Sequence, residues 1–530
     1  MGPYSDDRDI RSVRTHFSAL WNLIMIFSNA IRRIFGTLLG SGLLTAMATA
    51  GIAAERPNIV FVLADDLGYR EVGSFGQKKI RTPHLDQLAA EGMRLTQHYS
   101  GNAVCAPSRC VLLTGRHPGH ATIRDNSEVK PEGQWPLPDS DITIAEQLKA
   151  LGYATGAFGK WGLGGPGSEG DPIKQGFDTF FGYNCQRQAH SYYPDYLWSN
   201  SERVALNNSP PVPGHARLPQ GADPTDPESY RSFKGAEYAP NRIREEALEF
   251  IREHHAEPFF LYYPSSLPHV ALHVPDAELT TYLANGWDER PFIAETGGYT
   301  PHLTPRAAYA AMVSHLDADV GALLKQLKDL NLENNTIFIF SSDNGTTHLE
   351  QEVDAAFFNS VGELRGLKGS LYEGGVRVPT IVKWPGHIAA GSSSDFVSGF
   401  EDWLPTLLEV TTGQTTTTDR TGGVSLLSLL TTGSQESRPF LYREFPGYGG
   451  QQSIRMGEWK AVRQQMAKGI LRTELYHMGT DPAERHNVAA EHWERVQMME
   501  REMEASRRPS ERFPLRPLDK PLATDGKKTR

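Results

Sequence analysis

Asn58-Ile59-Val60-Phe61-Val62-Leu63-Ala64-Asp65-Asp66 joins an apolar run to two adjacent carboxylates. An unbroken apolar run with β-branched residues fits a strand buried on both faces. Three other segments repeat this pattern of an apolar run leading into a polar cluster. Tyr153–Phe158 leads into Gly159-Lys160-Trp161-Gly162, Phe259–Tyr263 is followed by Pro268-His269, and Thr336–Ser341 ends at Asp343-Asn344-Gly345. Val378–Val382 is a fifth apolar run. Helical spacing over Leu85–Gly92, Thr143–Leu151, Ile243–His254 and Arg306–Leu330 separates the strands. This alternation predicts an α/β fold, a large and mostly parallel sheet flanked by helices. Ligands in such sheets bind beyond the carboxyl ends of the strands, so the four clusters are expected to meet at one edge.

A lone Asp-Asp or Asp-Asn-Gly ordinarily makes a turn or a helix cap. Two such clusters, each directly after a strand, point instead to a shared site. Asp65, Asp66, Asp343 and Asn344 offer only oxygen ligands, which suits a hard cation such as Ca²⁺ or Mg²⁺ rather than Zn²⁺. Cys105-Ala106-Pro107-Ser108-Arg109, continuing through Leu113-Thr114-Gly115-Arg116, reads as a helix with Pro107 in its first turn. Cys105 then sits at the positive N-terminal end, and Arg109, four residues on, faces the same way. The plainer role for a single cysteine is a small buried apolar residue.

Composition narrows the class. The 530 residues are 39% hydrophobic and 22% charged, a globular balance. The net charge is −10, and removing residues 1–54 takes away five basic and three acidic residues to leave −12. An acidic body is not built to neutralise nucleic-acid phosphates. Cys105, Cys110 and Cys185 cannot make a disulfide framework. Arg32 and Arg33 precede an uncharged apolar run, Ile34–Ala54, that closes on small residues. This predicts an export signal over 1–54, with Met25 a fitting start and a loose match to the twin-arginine type. The protein is therefore expected in the periplasm or outside the cell, with no stable membrane insertion after cleavage.

The Cys-Ala-Pro-Ser-Arg string with Leu113-Thr114-Gly115-Arg116 resembles the signature of type I sulfatases in the alkaline phosphatase superfamily. The resemblance spans roughly residues 56–490 and includes Gly366-Leu367-Lys368-Gly369, Glu373–Pro379, Leu475-Tyr476 and Asp481-Pro482. It implies that Cys105 is oxidised to formylglycine by a formylglycine-generating enzyme. One hydroxyl of the hydrated aldehyde then attacks the sulfur of a sulfate ester. The other expels sulfate from the resulting hemiester and restores the aldehyde. It further implies one Ca²⁺ ion on Asp65, Asp66, Cys105, Asp343 and Asn344. Arg109 would steady the hydrate, Lys160 and Lys368 would contact the sulfate, and His269 would act as general acid. Tyr99, His98 and Arg81 gain no such support and read as structural.

On this reading residues 55–410 are the catalytic domain and Thr411–Gly423 is a linker. Residues 424–507 form a small α+β subdomain, with strands at Phe440–Glu444, Trp459–Arg463 and Glu474–His477 in an antiparallel sheet and a helix at Glu491–Arg507. The Pro-rich basic tail 508–530 is expected to be disordered. The segment 185–240 reads as a long insertion. Its Gln186, Arg187 and His190, beside Tyr192, Tyr193 and Trp198, suit a sulfated carbohydrate, and Arg124, Asn126 and Gln134 are further polar candidates. A formylglycine-dependent phosphonate or phosphate hydrolase, or a non-catalytic carbohydrate-binding protein, are the competing functions. One position departs from the family. Where many members read Gly-Lys-Trp-His-Leu-Gly, this chain has Gly162 in place of the histidine assigned to releasing sulfate, leaving His190, His120 or water as substitutes.

Overall fold

The Asn58–Ala64 strand is buried along its whole length and lies inside a ten-stranded sheet. Edge to edge the order is Ser392–Ser394, Met93–Leu95, Thr380–Lys383, Thr336–Ser342, Asn58–Ala64, Phe259–Pro264, Ala154–Lys160, Thr179–Tyr183, Tyr196–Ser199 and Glu202–Ala205. The computed structural model describes residues 56–415 and 422–519. The expected export signal, the middle of the Thr-rich linker and residues 520–530 lie outside the described residues. The five strands from Thr336–Ser342 to Thr179–Tyr183 are mutually parallel. Antiparallel pairs flank them on both sides.

Alternate residues of the central strand serve two cores. Val60, Val62 and Ala64 pack with apolar residues of the helices Pro83–Glu91, Ala239–Glu253 and Pro305–Asp329. Ile59, Phe61 and Leu63 pack with the helices Cys105–Thr114, Ile144–Ala150 and Trp403–Thr412 on the other face. Two-sided coverage is why the run shows no polar alternation. Among the described residues no helix is long and apolar enough to cross a membrane.

The structure adds two details. The Val378–Val382 run forms a strand at Thr380–Lys383 that runs antiparallel to Thr336–Ser342. Within the insertion, Tyr196–Ser199 and Glu202–Ala205 extend the main sheet as a hairpin. The separate C-terminal sheet has four antiparallel strands, Leu441–Phe445, Gln451–Met456, Trp459–Arg463 and Thr473–His477, packed on the helix Trp493–Ala505 through Met499 and Met503. The Gln451–Met456 strand escapes the apolar pattern because its buried Gln451 and Gln452 bond to Gly369 O and Tyr442 Oη instead of packing apolar surface.

The tail corrects an expectation. Residues 508–519 are ordered, because Phe513 and Leu515 are buried and Asp519 receives a two-pronged bond from Arg507 at 2.7 and 3.0 Å. Two apolar anchors and a charged clamp outweigh the Pro-rich basic composition.

Arg443 ties the C-terminal sheet to the segments around Ser100 and Glu401 in the larger body. Its guanidinium grips both oxygens of Glu401 at 2.9 Å, and its Nε donates to Ser100 O, all buried. Removing one partner of such a pair strands a buried charge. Arg443→Ala is therefore expected to lower unfolding free energy by about 3–5 kcal/mol in denaturant titration. Breaking the exposed Lys325–Asp329 pair by Lys325→Ala should cost only about 0.5 kcal/mol or less.

Candidate active site

The carboxyl ends of four parallel strands converge as the sequence implies. Asp65 and Asp66 follow Asn58–Ala64, and Asp343 follows Thr336–Ser342, with Asp343 N bonded to Ala64 O at 3.0 Å. Asp65 N bonds to Leu267 O in the loop that carries His269. Asp66 adopts φ +65°, a left-handed turn that Asp tolerates better than most residues. That turn lets Asp66 N donate to Asp343 Oδ1 at 3.1 Å and ties the two acidic loops together.

Cys105 opens the helix Cys105–Thr114, which Gly115 ends in a left-handed cap at φ +66°. The helix is buried along its length. Asn126 Oδ1 accepts from Ala106 N at 3.0 Å, which satisfies one free amide of its first turn. Cys105 Sγ lies 3.4 Å from Asp65 Oδ1, 3.5 Å from Lys160 Nζ and 3.6 Å from Lys368 Nζ. Burial, then Asp65, pushes its thiol up to about 12. As a plain cysteine it stays protonated at neutral pH and is a poor nucleophile.

The surrounding charges are closely matched. Lys160 Nζ sits 2.5 Å from Asp65 Oδ2, and Lys368 Nζ sits 2.7 Å from both oxygens of Asp66. Arg109 holds Asp343 Oδ2 from Nε and Nη2 at 3.0 and 2.8 Å, approaches Asp65 at 3.7 Å and also donates to Lys160 O. Burial, then Asp65, still raises Asp343 above the ordinary carboxylate value. The site has room for more positive charge.

A cation fits these groups. Asn344 Nδ2 bonds to Asp66 Oδ1 at 2.7 Å, while the buried Asn344 Oδ1 has no hydrogen-bond partner. Such an orphaned amide oxygen beside three carboxylates is what a hard cation binds. One ligand atom each from Asp65, Asp66, Cys105 and His269 also lies within 4.8 Å of the others. His269 Nδ1 bonds to Val270 O, and its Nε2 lies 3.6 Å from Asp66 Oδ2.

The insertion reaches the site through His190, whose ring stacks on His269 at 4.7 Å and 7°. Arg187 is exposed one turn away. Tyr299, missed in the sequence, meets the edges of both imidazoles. It also lines a neighbouring cavity of about 920 Å³ with Phe292, His348 and Glu352. It lies in a stretch with no strand or helix pattern, so nothing local pointed to it.

Other candidates move away from substrate. Arg124 is corrected to a structural residue, because its buried guanidinium bonds to Glu444, Ala121 O, Gly119 O and Arg508 O. Tyr192 is no sugar platform, since it is buried and its hydroxyl bonds to His269 O and Ser266 O, bracing the His269 loop. Trp198 is buried and donates to Glu132. His120 packs at a tilt on His117, which meets Tyr442 of the C-terminal sheet edge-on, so its contacts lie on the C-terminal sheet side and not at Cys105. Gly162 adopts φ +81°, and a Cβ there would lie 2.7 Å from Gln186 Nε2. Gln186 thus fills the space next to Gly162, and its buried Nε2 has no partner.

Comparison with known proteins shows the family. A family model described as Sulfatase matches residues 57–413, and one described as N-sulphoglucosamine sulphohydrolase, C-terminal matches residues 367–508. Arylsulfatase A of Bos taurus is 33% identical over 433 residues, covering 79% of this chain and 77% of that protein. N-acetylgalactosamine-6-sulfatase of Rattus norvegicus is 30% identical over 491 residues, covering 84% of each. The crystal structure of Ps i-CgsB superposes with a TM-score of 0.68 at 26% identity, covering 85% of this chain and 92% of that one. The same protein has been crystallised in complex with k-i-k-neocarrahexaose.

A side chain at position 162 meets both left-handed strain and the Gln186 amide. Gly162→Ala is expected to cost about 1–3 kcal/mol of stability. Gln186→Ala in the same chain should restore only the part due to crowding. Denaturant titration of the two variants checks this, and a neutral Gly162→Ala would contradict it.

Proposed function

The chain belongs to the sulfatase family and is a sulfate-ester hydrolase, and from that premise we propose that it removes sulfate from a carbohydrate. In this reading Cys105 is converted to formylglycine by a maturation enzyme, and Asp65, Asp66, Asp343 and Asn344 hold a Ca²⁺ ion. The carrying observation is the set of contacts on Cys105 Sγ, the buried Lys160 and half-buried Lys368 ammonium groups and a carboxylate within 3.6 Å, beside the orphaned Asn344 oxygen.

The hydrated aldehyde supplies a self-regenerating oxygen nucleophile, and the cation supplies acidity to it and draws charge from sulfate. The chain's own groups set up the rest. Three carboxylates face three fixed cations, Arg109, Lys160 and Lys368, so the formal balance is zero. A divalent ion would tip it to the positive sign that a sulfate ester requires. Lys160 and Lys368 put fixed charge at the nucleophile, where negative charge gathers. Arg109 keeps Asp343 and Asp65 in place rather than meeting substrate.

His269 has its Nδ1 engaged by Val270 O, so Nε2 is the nitrogen left for the leaving oxygen. Burial, then Lys368 and Lys160, holds it well below the ordinary histidine value. The negative charge of a bound sulfate opposes those lysines and favours the protonated ring that can serve as general acid.

Three features support a saccharide: the cavity beside the site, the exposed Arg187 with His190 and Gln186, and the oligosaccharide complex of Ps i-CgsB. The apolar run with its basic lead supports export to the periplasm or beyond the cell. Formylglycine chemistry on phosphonate or phosphate esters is the second reading.

Protein produced together with a formylglycine-generating enzyme is expected to carry formylglycine at residue 105 by peptide mass. It should hydrolyse 4-nitrophenyl sulfate faster than 4-nitrophenyl phosphate, and turn over at least one defined sulfated saccharide. Asp343→Ala should lose Ca²⁺ binding by calorimetry and lower kcat at least about a hundredfold while staying folded. Full activity with an unmodified thiol, or a preference for phosphate, would overturn the proposal.

A further inference from the structure

Beyond the ring stacked on His269, His190 is wired to a second histidine. His190 Nδ1 lies 2.8 Å from His215 Nε2, and His215 Nδ1 lies 3.2 Å from Gly298 O. A carbonyl oxygen only accepts, so His215 Nδ1 carries hydrogen. Burial, then Arg187, lowers His215 below the ordinary histidine value, which keeps the ring neutral and leaves Nε2 a lone pair. His190 Nδ1 must then be the donor between the two rings. With that hydrogen on Nδ1, the neutral His190 ring leaves Nε2 bare. No group among the described residues pairs with that nitrogen, and it is not sealed from solvent. Tyr299 stacks on His215 at 4.6 Å and meets His190 edge-on at 5.0 Å, which fixes both rings.

Position decides what the free acceptor is for. A nitrogen of His269 lies within 4.8 Å of Cys105 Sγ, and His190 is one stacked ring away from His269. His190 is therefore set beside the leaving group and not against the nucleophile. A neutral ring with a bare nitrogen cannot donate to a sulfate oxygen, but it can accept from a hydroxyl.

We infer that His190 Nε2 accepts a hydrogen bond from a hydroxyl of the sugar that carries the sulfate, making His190 a specificity-determining residue, with His215 and Tyr299 as positioning residues. The inference rests on the carbohydrate reading above. A site built around a hydroxyl contact discriminates against substrates that lack one more strongly than apolar packing can.

Labelled-histidine NMR and paired kinetics test it on the full, mature enzyme. Two-bond ¹H–¹⁵N spectra should show His190 protonated on Nδ1 and bare on Nε2, and His215→Leu should remove that pattern. His190→Ala and His215→Leu should each lower kcat/KM for a sulfated saccharide by about tenfold or more. Their effect on 4-nitrophenyl sulfate, which has no sugar hydroxyl, should be several times smaller. His190→Gln, whose amide oxygen can accept, should recover part of the saccharide turnover. A His190 protonated on Nε2, or equal losses on both substrates, would overturn the inference. So would unchanged saccharide kinetics in both variants. If the wild-type enzyme hydrolyses the aryl sulfate but no saccharide, the carbohydrate reading itself fails and this inference with it.

Discussion

Three buried carboxylates meeting at one sheet edge set the terms for the rest of the site. Asp65, Asp66 and Asp343 are almost wholly removed from water, and an unpaired buried charge costs several kcal/mol. Each is answered by a cation from a different part of the chain: Lys160 for Asp65, Lys368 for Asp66, Arg109 for Asp343. Those partners come from a strand end, a loop and a helix, so none can shift without uncovering a charge. The same need for compensation gives the site its chemistry. The ammonium groups that stabilise the acids also flank Cys105, and the left-handed Asp66 holds the two acidic loops at hydrogen-bond distance.

The fold serves this constellation by burying what surrounds it. The Cys105–Thr114 helix has no water-facing side, so its first turn is capped by Asn126 instead of solvent. Tyr192, an insertion residue, braces the His269 loop from behind, its hydroxyl shared between Ser266 O and His269 O. Arg443 and Arg438 neutralise Glu401, and through Arg443 the C-terminal sheet is bound to the body that carries Cys105. Remote ion pairs thus hold the floor of the site.

Much of this was legible in the sequence because burial leaves a signature. The Asn58–Ala64 strand appears with its boundaries intact, and the other central strands shift by a few residues at most, since two-sided apolar runs have few alternative folds. The acidic positions and Lys160 followed from lying after those strands, whereas Cys105 and Lys368 were marked by the resemblance to the sulfatase signature. Elements held by polar burial did not show. Gln451–Met456 is a strand that buries Gln451, Gln452 and Ser453 and has only Ile454 in the apolar core, and residues 508–519 are ordered by two apolar anchors and the Arg507 clamp. Contacts between distant segments were equally hidden. Arg124, a substrate candidate by sequence, is instead paired with Glu444, 320 residues away. Tyr299 and His215 come together only after the insertion folds back.

Gly162 and the insertion are best understood as one feature. The strands Ala154–Lys160 and Thr179–Tyr183 run parallel and in register, and Gly159 faces Gly182 with both residues at positive φ. A Cβ at Gly182 would lie 2.0 Å from Gly159 O, so the backbones approach as closely as two glycines allow. The pairing continues past the strand ends, with Trp161 N bonded to Tyr183 O and Gly162 N to Asn184 O. That zipper sets Gly162 in the left-handed region and delivers Gln186 into the adjacent space. A bulky residue at 162 would therefore be resisted by its own backbone before it met any neighbour. The same run of chain that brings Gln186 there ends, four residues later, at the His190 ring stacked on His269. A side chain absent at one position and two polar groups arriving from the insertion are consequences of a single backbone arrangement.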